Sequence, residues 1–370
     1  MFHFYLTLAY IIPNIYVFFR IKSLFISKGY KLWYTLIYLL LAAVYPLSEN
    51  LSGENGNFFV QMLSIAAGYL LPFYLYIYLS VLLFDLILLF NLFFRIISKE
   101  LRKSFSFRFY TLSFMIIISV AIVVGGAINL NTIRVSSYQI KVPKRNSHLN
   151  NLRVAFVADF HIQQSINPRF VEQFARKVNA LKPDIMLYGG DIVEGRDENR
   201  IPGAILSTLR KVQTKYGAFG VLGNHESYGS RGNRTFYKKA NIKLLRDTIL
   251  NIDNSFYLAG RNDESFRQRK SVNEILRNIS PDLPIILLDH RPTRLQEVSQ
   301  TPVNVQFSGH THNGQLFPIN YIIHRIYELS WGYEKIRNTH FFVTSGLRLW
   351  GPPVKTAGKS EIMLVDFKFK

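Results

Sequence analysis

Over the first 133 positions, four apolar stretches run almost without charge: Phe4 to Phe19, Leu32 to Ser48, Gly68 to Phe94 broken only by Asp85, and Phe109 to Ile133. Each can cross a hydrocarbon core of about 30 Å, the first two being short for it, which predicts a bundle of four transmembrane helices. The third stretch is apolar from Phe58 onward and contains Pro72, where it could be cut into two spans. Charge placement speaks against the cut. Arg20, Lys22, Lys28 and Lys31 follow the first stretch, and Arg95, Lys99, Arg102, Lys103 and Arg108 follow the third. Basic loops favour the cytoplasmic side, so an even number of crossings must separate them. Two spans satisfy this and three do not. The loop from Ser48 to Asn57 carries Glu49 and Glu54 and no Lys or Arg, as an outside loop should. The expected topology places the N-terminus and everything beyond Ile133 on the extracytoplasmic side of a plasma or inner membrane. The first stretch has no basic residues before it and no small-residue cleavage site, so it reads as retained. Asp85 is either a functional carboxylate inside the membrane or an acid facing the bundle interior for assembly.

From Leu152 the pattern changes. Short apolar runs alternate with amphipathic segments such as Pro168 to Leu181 and Pro202 to Val212, which predicts an α/β or layered α-β domain. The expected organisation is a membrane region over 1–133, a linker over 134–150 and a second domain over 151–370. The apolar runs share one habit. Leu152 to Ala158 ends at Asp159, Ile185 to Tyr188 leads through two glycines to Asp191, and Ala218 to Leu222 leads to Asn224 and His225. Ile285 to Leu288 leads to His290, and Val303 to Ser308 leads to His310 and His312. In a sheet with helical crossovers such strand ends converge on one rim, where sites form.

Charge and composition narrow the chemistry. The chain has 44 Lys and Arg against 24 Asp and Glu, a net charge of +20. Over 151–370 the count is 31 against 20, scattered rather than gathered into runs. That reads as a solvated basic surface, and no nucleic-acid partner is expected because the basic residues do not cluster with aromatics in a binding module. There is no cysteine, which excludes disulfides, zinc fingers and thiolate catalysis together. Any metal must be held by His, Asp, Glu or Asn. Asp159, His161, Asp191, Asn224, His225, His290, His310 and His312 form such a set, and their imidazoles favour Mn, Fe, Zn or Co over Mg or Ca. Eight groups are too many for one ion. Two divalent ions about 3.5 to 4 Å apart, sharing a carboxylate, would use them and clamp a displacement at phosphorus. Each element alone is weak, since a histidine after an apolar run is commonly a satisfied core residue. Their order and company carry the inference, and five of the nine histidines fall in the set.

With Asp159-Phe160-His161, Gly190-Asp191, Gly223-Asn224-His225-Glu226, His290 and Gly309-His310-Thr311-His312-Asn313-Gly314-Gln315, the chain resembles the calcineurin-like metallophosphoesterases, in particular their bacterial membrane-anchored branch. The resemblance covers Leu152 to the C-terminus. It implies a four-layer α-β-β-α sandwich with a dinuclear centre at one edge. Asp159, His161, Asp191 and His312 would hold one ion, and Asp191, Asn224, His290 and His310 the other, with Asp191 bridging. His225 would face the phosphate, protonating the leaving oxygen or stabilising the transition state, and a metal-bridging hydroxide would attack. Two departures from the family pattern are Glu194 and Glu226, each where an Asp is usual, so either could orient His225. A third is Asn313 in place of a frequent Gly, lengthening a side chain near the site. Lys355, in Gly351-Pro352-Pro353-Val354-Lys355, stands where a basic phosphate contact is expected or is a plain surface lysine. The leading expectation is a membrane-anchored hydrolase of a phosphate monoester, diester or pyrophosphate that is lipid-linked or part of the cell envelope, with membrane lipids as its partners. The enzyme alternative is a UDP-2,3-diacylglucosamine pyrophosphatase of lipid A synthesis, whose substrate is met on the cytoplasmic face. The non-enzyme alternative is a membrane protein that binds metal or phospholipid without turnover.

Overall fold

The computed structural model describes residues 2–51, 58–195, 200–228 and 234–370, without the side chains of residues 2–8 and 234. Glu54, part of the expected outside loop, lies outside the described residues. The chain divides into two units, one of Met1–Ile128 with Gly351–Thr356, the other of Asn129–Trp350 with Ala357–Lys370.

The first unit is helical: α1 (Phe2–Leu24), α2 (Lys31–Leu51), α3 (Phe58–Phe94), α4 (Lys99–Lys103) and α5 (Phe105–Asn131). Among the described residues three segments are long and apolar enough to cross a membrane, Lys28–Leu51, Phe58–Phe94 and Phe105–Asn131. α1 covers the first expected span but continues as helix through Arg20 and Lys22. α3 passes Pro72 without a break, 37 residues or about 55 Å of helix, in keeping with one span there. Val17, Ile77 and Val81 form a buried apolar core, yet the outside is apolar too and some polar side chains lie within. Leu40, Phe90, Phe93 and Ile117 are exposed, whereas Asn14, Ser48, Asn91 and Ser119 are buried, the arrangement that hydrocarbon surroundings favour. Asp85 faces the bundle interior. It accepts hydrogen bonds from Arg20, through Nε at 2.8 Å and through Nη2, and from the Tyr16 hydroxyl, tying α3 to α1.

The second unit holds two six-stranded sheets. One runs β1 (Arg134–Val142), β12 (Glu361–Phe369), β2 (Asn151–Val157), β3 (Ile185–Tyr188), β4 (Ala218–Gly220) and β5 (Lys243–Leu244) in spatial order. The other runs β10 (Gly332–Ile336), β11 (Thr339–Val343), β9 (Val305–Ser308), β8 (Ile285–Leu288), β7 (Phe256–Gly260) and β6 (Thr248–Ile252). Residues 134–150 are therefore not a plain linker. β1 pairs with β12 in parallel from Arg134 opposite Glu361 to Val142 opposite Phe369. Its alternating pattern, with Ser136, Ile140 and Val142 buried, is what a half-buried edge strand requires, and Arg134 and Lys141 among them disguise it as loop.

Side chains alternate across each central strand. Val154, Phe156, Ile185 and Leu187 join Phe256, Ile286, Leu288, Phe307 and Phe342 in one cluster, with the Phe156 and Phe307 rings 4.9 Å apart. Ala155, Val157, Met186 and Tyr188 point the other way, into a cluster with α6 (Pro168–Leu181), α7 (Gly203–Leu209) and α8 (Arg234–Lys239). Ile285, Leu287 and Phe341 pack instead with residues of α9 (Val272–Leu276) and α10 (Leu295–Val298). α6 shows how local sequence sets an element. The Asn167 side chain accepts from the Arg169 N–H, Pro168 opens the first turn, and Phe170, Val171, Phe174 and Val178 recur on the buried face. The helix stops where Lys182 turns left-handed at φ 49°.

Candidate metal centre

Each candidate ligand follows a strand that ends abruptly. Asp159 comes after β2, Asp191 after β3, Asn224 after β4, His290 after β8, and His310 and His312 after β9. Five of these positions are left-handed without being glycine: Asp159 (φ 54°), His161 (48°), Asp191 (51°), His310 (70°) and His312 (50°). Each costs roughly 1–2 kcal/mol, and such strain gathers where a site demands it. Neighbouring glycines let the ligands close up. A Cβ on Gly223 would strike Asp191 Oδ1, and one on Gly309 would strike Asp159 Oδ2.

The ligand atoms converge in three overlapping groups: Asp159, His161 and His312; His161, Asp191 and His225; Asp191, His290 and His310. His161 Nε2 lies 3.3 Å from His312 Nε2. His290 Nε2 lies 3.1 Å from Asp191 Oδ2, and His312 Nε2 lies 3.6 Å from Asp159 Oδ1. Two imidazole nitrogens each about 2.1 Å from one ion are about 3 Å apart at right to tetrahedral angles, so the pair fits a shared cation. Asn224 adds Oδ1, a buried acceptor with no hydrogen-bond partner, while its Nδ2 donates to the Tyr228 hydroxyl at 3.2 Å. A buried orphan acceptor costs about 1–3 kcal/mol unless something electropositive meets it. Burial pushes Asp159 up to about 6 and His310 down to about 3, the cost to each of charging away from water. The residues present thus suit divalent metal.

Glu194 spans two histidines. Its Oε1 is 2.7 Å from His161 Nδ1 and its Oε2 is 3.0 Å from His225 Nδ1. Burial alone would raise this carboxyl, but the hydrogen bonds from His161 and His225 reverse the effect and hold it at about 2. An ionised carboxylate only accepts, which puts hydrogen on both Nδ1 atoms and aims both Nε2 atoms inward. Burial works to lower the His225 pKa, yet the bond to Glu194 and the charge of Asp191 leave it raised. The His225 ring is also flanked by Tyr228 at 5.0 Å and Trp350 at 5.8 Å, two contacts without a sequence signal.

Glu226 does something else. Fully buried, it accepts from the backbone N–H groups of Asp191 (3.0 Å), Ile192 (2.7 Å), Val193 (3.2 Å) and Gly223 (2.7 Å) and from the Tyr237 hydroxyl (2.8 Å). It fastens two ligand loops together, and Glu194 is the acid that bonds His225. Glu226→Ala would strand those donors, so a loss of about 3–5 kcal/mol is expected, read as a large fall in the thermal unfolding midpoint of the detergent-solubilised chain. An unchanged midpoint with slowed turnover would instead assign Glu226 to orienting His225.

Asn313 turns away from the expected role of lengthening into the site. It is buried and left-handed (φ 50°), and its Oδ1 is 2.9 Å from Nε2 of His324 on α11 (Ile319–Ile326). Lys355 is fully buried and groups with the helical unit, where its N–H donates to the Gly126 carbonyl, so it is no surface lysine.

The sequence profile of the calcineurin-like phosphoesterase family matches residues 152–314. An uncharacterized metallophosphoesterase of Aquifex aeolicus is 30% identical over 68% of this chain and 98% of its own length. A transmembrane protein with metallophosphoesterase domain from Bos taurus is 27% identical over 62% of this chain and 55% of its own. The UDP-2,3-diacylglucosamine pyrophosphatase LpxG of Chlamydia trachomatis is 24% identical over 50% and 71%. A match along nearly all of the Aquifex protein, with acids and imidazoles meeting at the strand ends where the motifs fall, means that the chain belongs to the calcineurin-like metallophosphoesterases, metal-dependent hydrolases of phosphate esters.

Proposed function

We propose that the protein is a membrane-anchored phosphoesterase with two divalent ions, acting on a lipid-linked or cell-envelope phosphate ester or pyrophosphate. The observation that supports this is the chaining of the three candidate ligand groups through His161 and Asp191, which suits two adjoining subsites better than one. Asp159, His161, Asp191 and His312 would serve one ion and Asp191, Asn224, His290 and His310 the other. When bound, the ions would polarise the phosphoryl oxygens and supply a water acidic enough to attack phosphorus near neutral pH. His225 completes the displacement. With Nδ1 hydrogen-bonded to Glu194, its Nε2 can hold a proton for the departing oxygen. The apolar clusters on both outer sheet faces support a four-layer α-β-β-α arrangement.

The lipid-linked reading draws on α11, which follows the His312 turn. Tyr321, Ile322 and Ile326 on this helix, and Phe317 before it, are exposed, an apolar surface beside a charged site. The proposed orientation draws on charge: Ser23, Leu24 and Phe25, between the basic residues of the first loop, line one cavity with Lys99, Arg102, Lys103 and Arg108 of the second, so the two loops meet at one end of the helical unit. This supports four spans, a plasma or inner membrane and an extracytoplasmic catalytic domain. The LpxG likeness favours a second reading, cleavage of a nucleotide-sugar lipid pyrophosphate from the opposite face.

Chelated protein should be inert toward a chromogenic phosphodiester and regain turnover with added Mn. Ile322→Asp should leave that activity within about twofold while lowering turnover of vesicle-embedded phospholipid esters about tenfold or more, from lost apolar contact. Activity that survives chelation sinks the metal reading, and equal activity of both proteins on vesicles sinks the lipid reading.

A further inference from the structure

We infer that the helical unit carries a second site, built for the phosphate headgroup of an anionic membrane phospholipid. A cavity of about 340 Å³ opens among α1, α3, α4 and α5, at the end where the basic loops lie. Lys99, Arg102, Lys103 and Arg108 supply four cationic groups to its wall, and among the described residues no acidic side chain lines it. The acids nearby in sequence are engaged elsewhere. Asp85 is held by Arg20 and Tyr16, and Glu100 is fully exposed and hydrogen-bonded to Ser98 in its own turn.

The guanidinium Nε atoms of Arg102 and Arg108 are both buried, and neither has a hydrogen-bond partner. Both side chains are half-buried, and two buried donors left unpaired on one cavity suit an anionic acceptor, which no described residue provides. Oxygens of a phosphate answer that need, since arginine forks match them geometrically. Apart from Ser23, the rest of the wall is apolar, from Leu24, Phe25, Phe84, Leu88 and Phe107. A free phosphate has no use for it, whereas the glycerol and first acyl carbons of a lipid would cover it. The site is also held ready. Asn91 at the end of α3 donates from Nδ2 to the Ile97 carbonyl at 2.8 Å and accepts from the Ile97 N–H at 2.6 Å, and Ser98 caps α4. Basic cavities between membrane helices on the cytoplasmic side are where anionic headgroups lodge.

The test is lipid binding to the full chain, delipidated in neutral detergent and followed by native mass spectrometry with phosphatidylglycerol, phosphatidylcholine and inorganic phosphate as separate probes. Phosphatidylglycerol should bind about tenfold or more tightly than phosphatidylcholine. Arg102→Gln with Arg108→Gln should bring that ratio close to one, while Lys28→Gln with Lys31→Gln, at the same end but outside the cavity, should leave it unchanged. No preference in the wild type overturns the site, and so does equal loss in both double variants, which would mean diffuse surface charge. Displacement of the lipid by equimolar inorganic phosphate overturns the lipid as its occupant. Should the arginine variant fail to fold, a photoactivatable phosphatidylglycerol on the wild type decides. Labelling within 23–25, 84–88 and 99–108 supports the site, and labelling confined to other segments overturns it.

Discussion

Asp191→Asn is expected to lower kcat on a chromogenic phosphodiester by on the order of a thousandfold, with loss of bound metal measured by elemental analysis. The shape is kept and only charge and one acceptor are removed, so the effect isolates what the carboxylate does. Asp191 belongs to two of the three ligand groups, with Oδ2 facing His290 Nε2 at 3.1 Å and Oδ1 accepting from the His225 N–H at 2.8 Å. A neutral amide would weaken the hold on both of the proposed ions together. Losing about 4 kcal/mol of transition-state stabilisation gives the stated factor, since each 1.36 kcal/mol is tenfold. An Asn variant with full metal content and turnover near wild type would sink the shared-carboxylate reading.

His225→Ala should slow the same reaction by about 10²- to 10⁴-fold, the range for a positioned general acid, while the metal stoichiometry stays near that of the wild type. The separation is physical. Although His225 reaches into the group with His161 and Asp191, its Nδ1 is taken by Glu194 and its ring sits between Tyr228 and Trp350, at the edge of the cluster. Glu194→Gln should show a milder loss of about 10- to 100-fold together with weaker metal binding, because the same carboxylate also fixes His161. If His225→Ala strips metal as thoroughly as Asp191→Asn does, the histidine is a ligand and another group protonates the leaving oxygen.

The helices and the rim were the parts most open to reading from residues alone. Pro168 to Leu181 was delimited by its own cap and apolar period, and Ile185 to Tyr188 and Ile285 to Leu288 by uniform apolarity between turn residues, as expected of strands buried on both faces. The candidate ligands stand out because they follow such strands. What was hidden depended on partners distant in sequence. β1 is a strand because β12, more than 200 residues later, lies beside it. Glu194 and Glu226 are the same residue type near the same loops, and their roles part only when the structure shows one against imidazole rings and the other against backbone amides. Trp350 stands against His225 with nothing in its neighbours to announce it.

The lodging of β12 between β1 and β2 has a practical bearing on how the catalytic half can be produced alone. A fragment that starts at Asn151, where the sequence pattern puts the start of the domain, would strip a nine-residue neighbour from the last strand of the fold. The row of amides and carbonyls laid bare would be an adhesive border open to any other copy, inviting clumping during expression. Starting the fragment before Arg134 keeps that border covered and spares the fold its outermost rung.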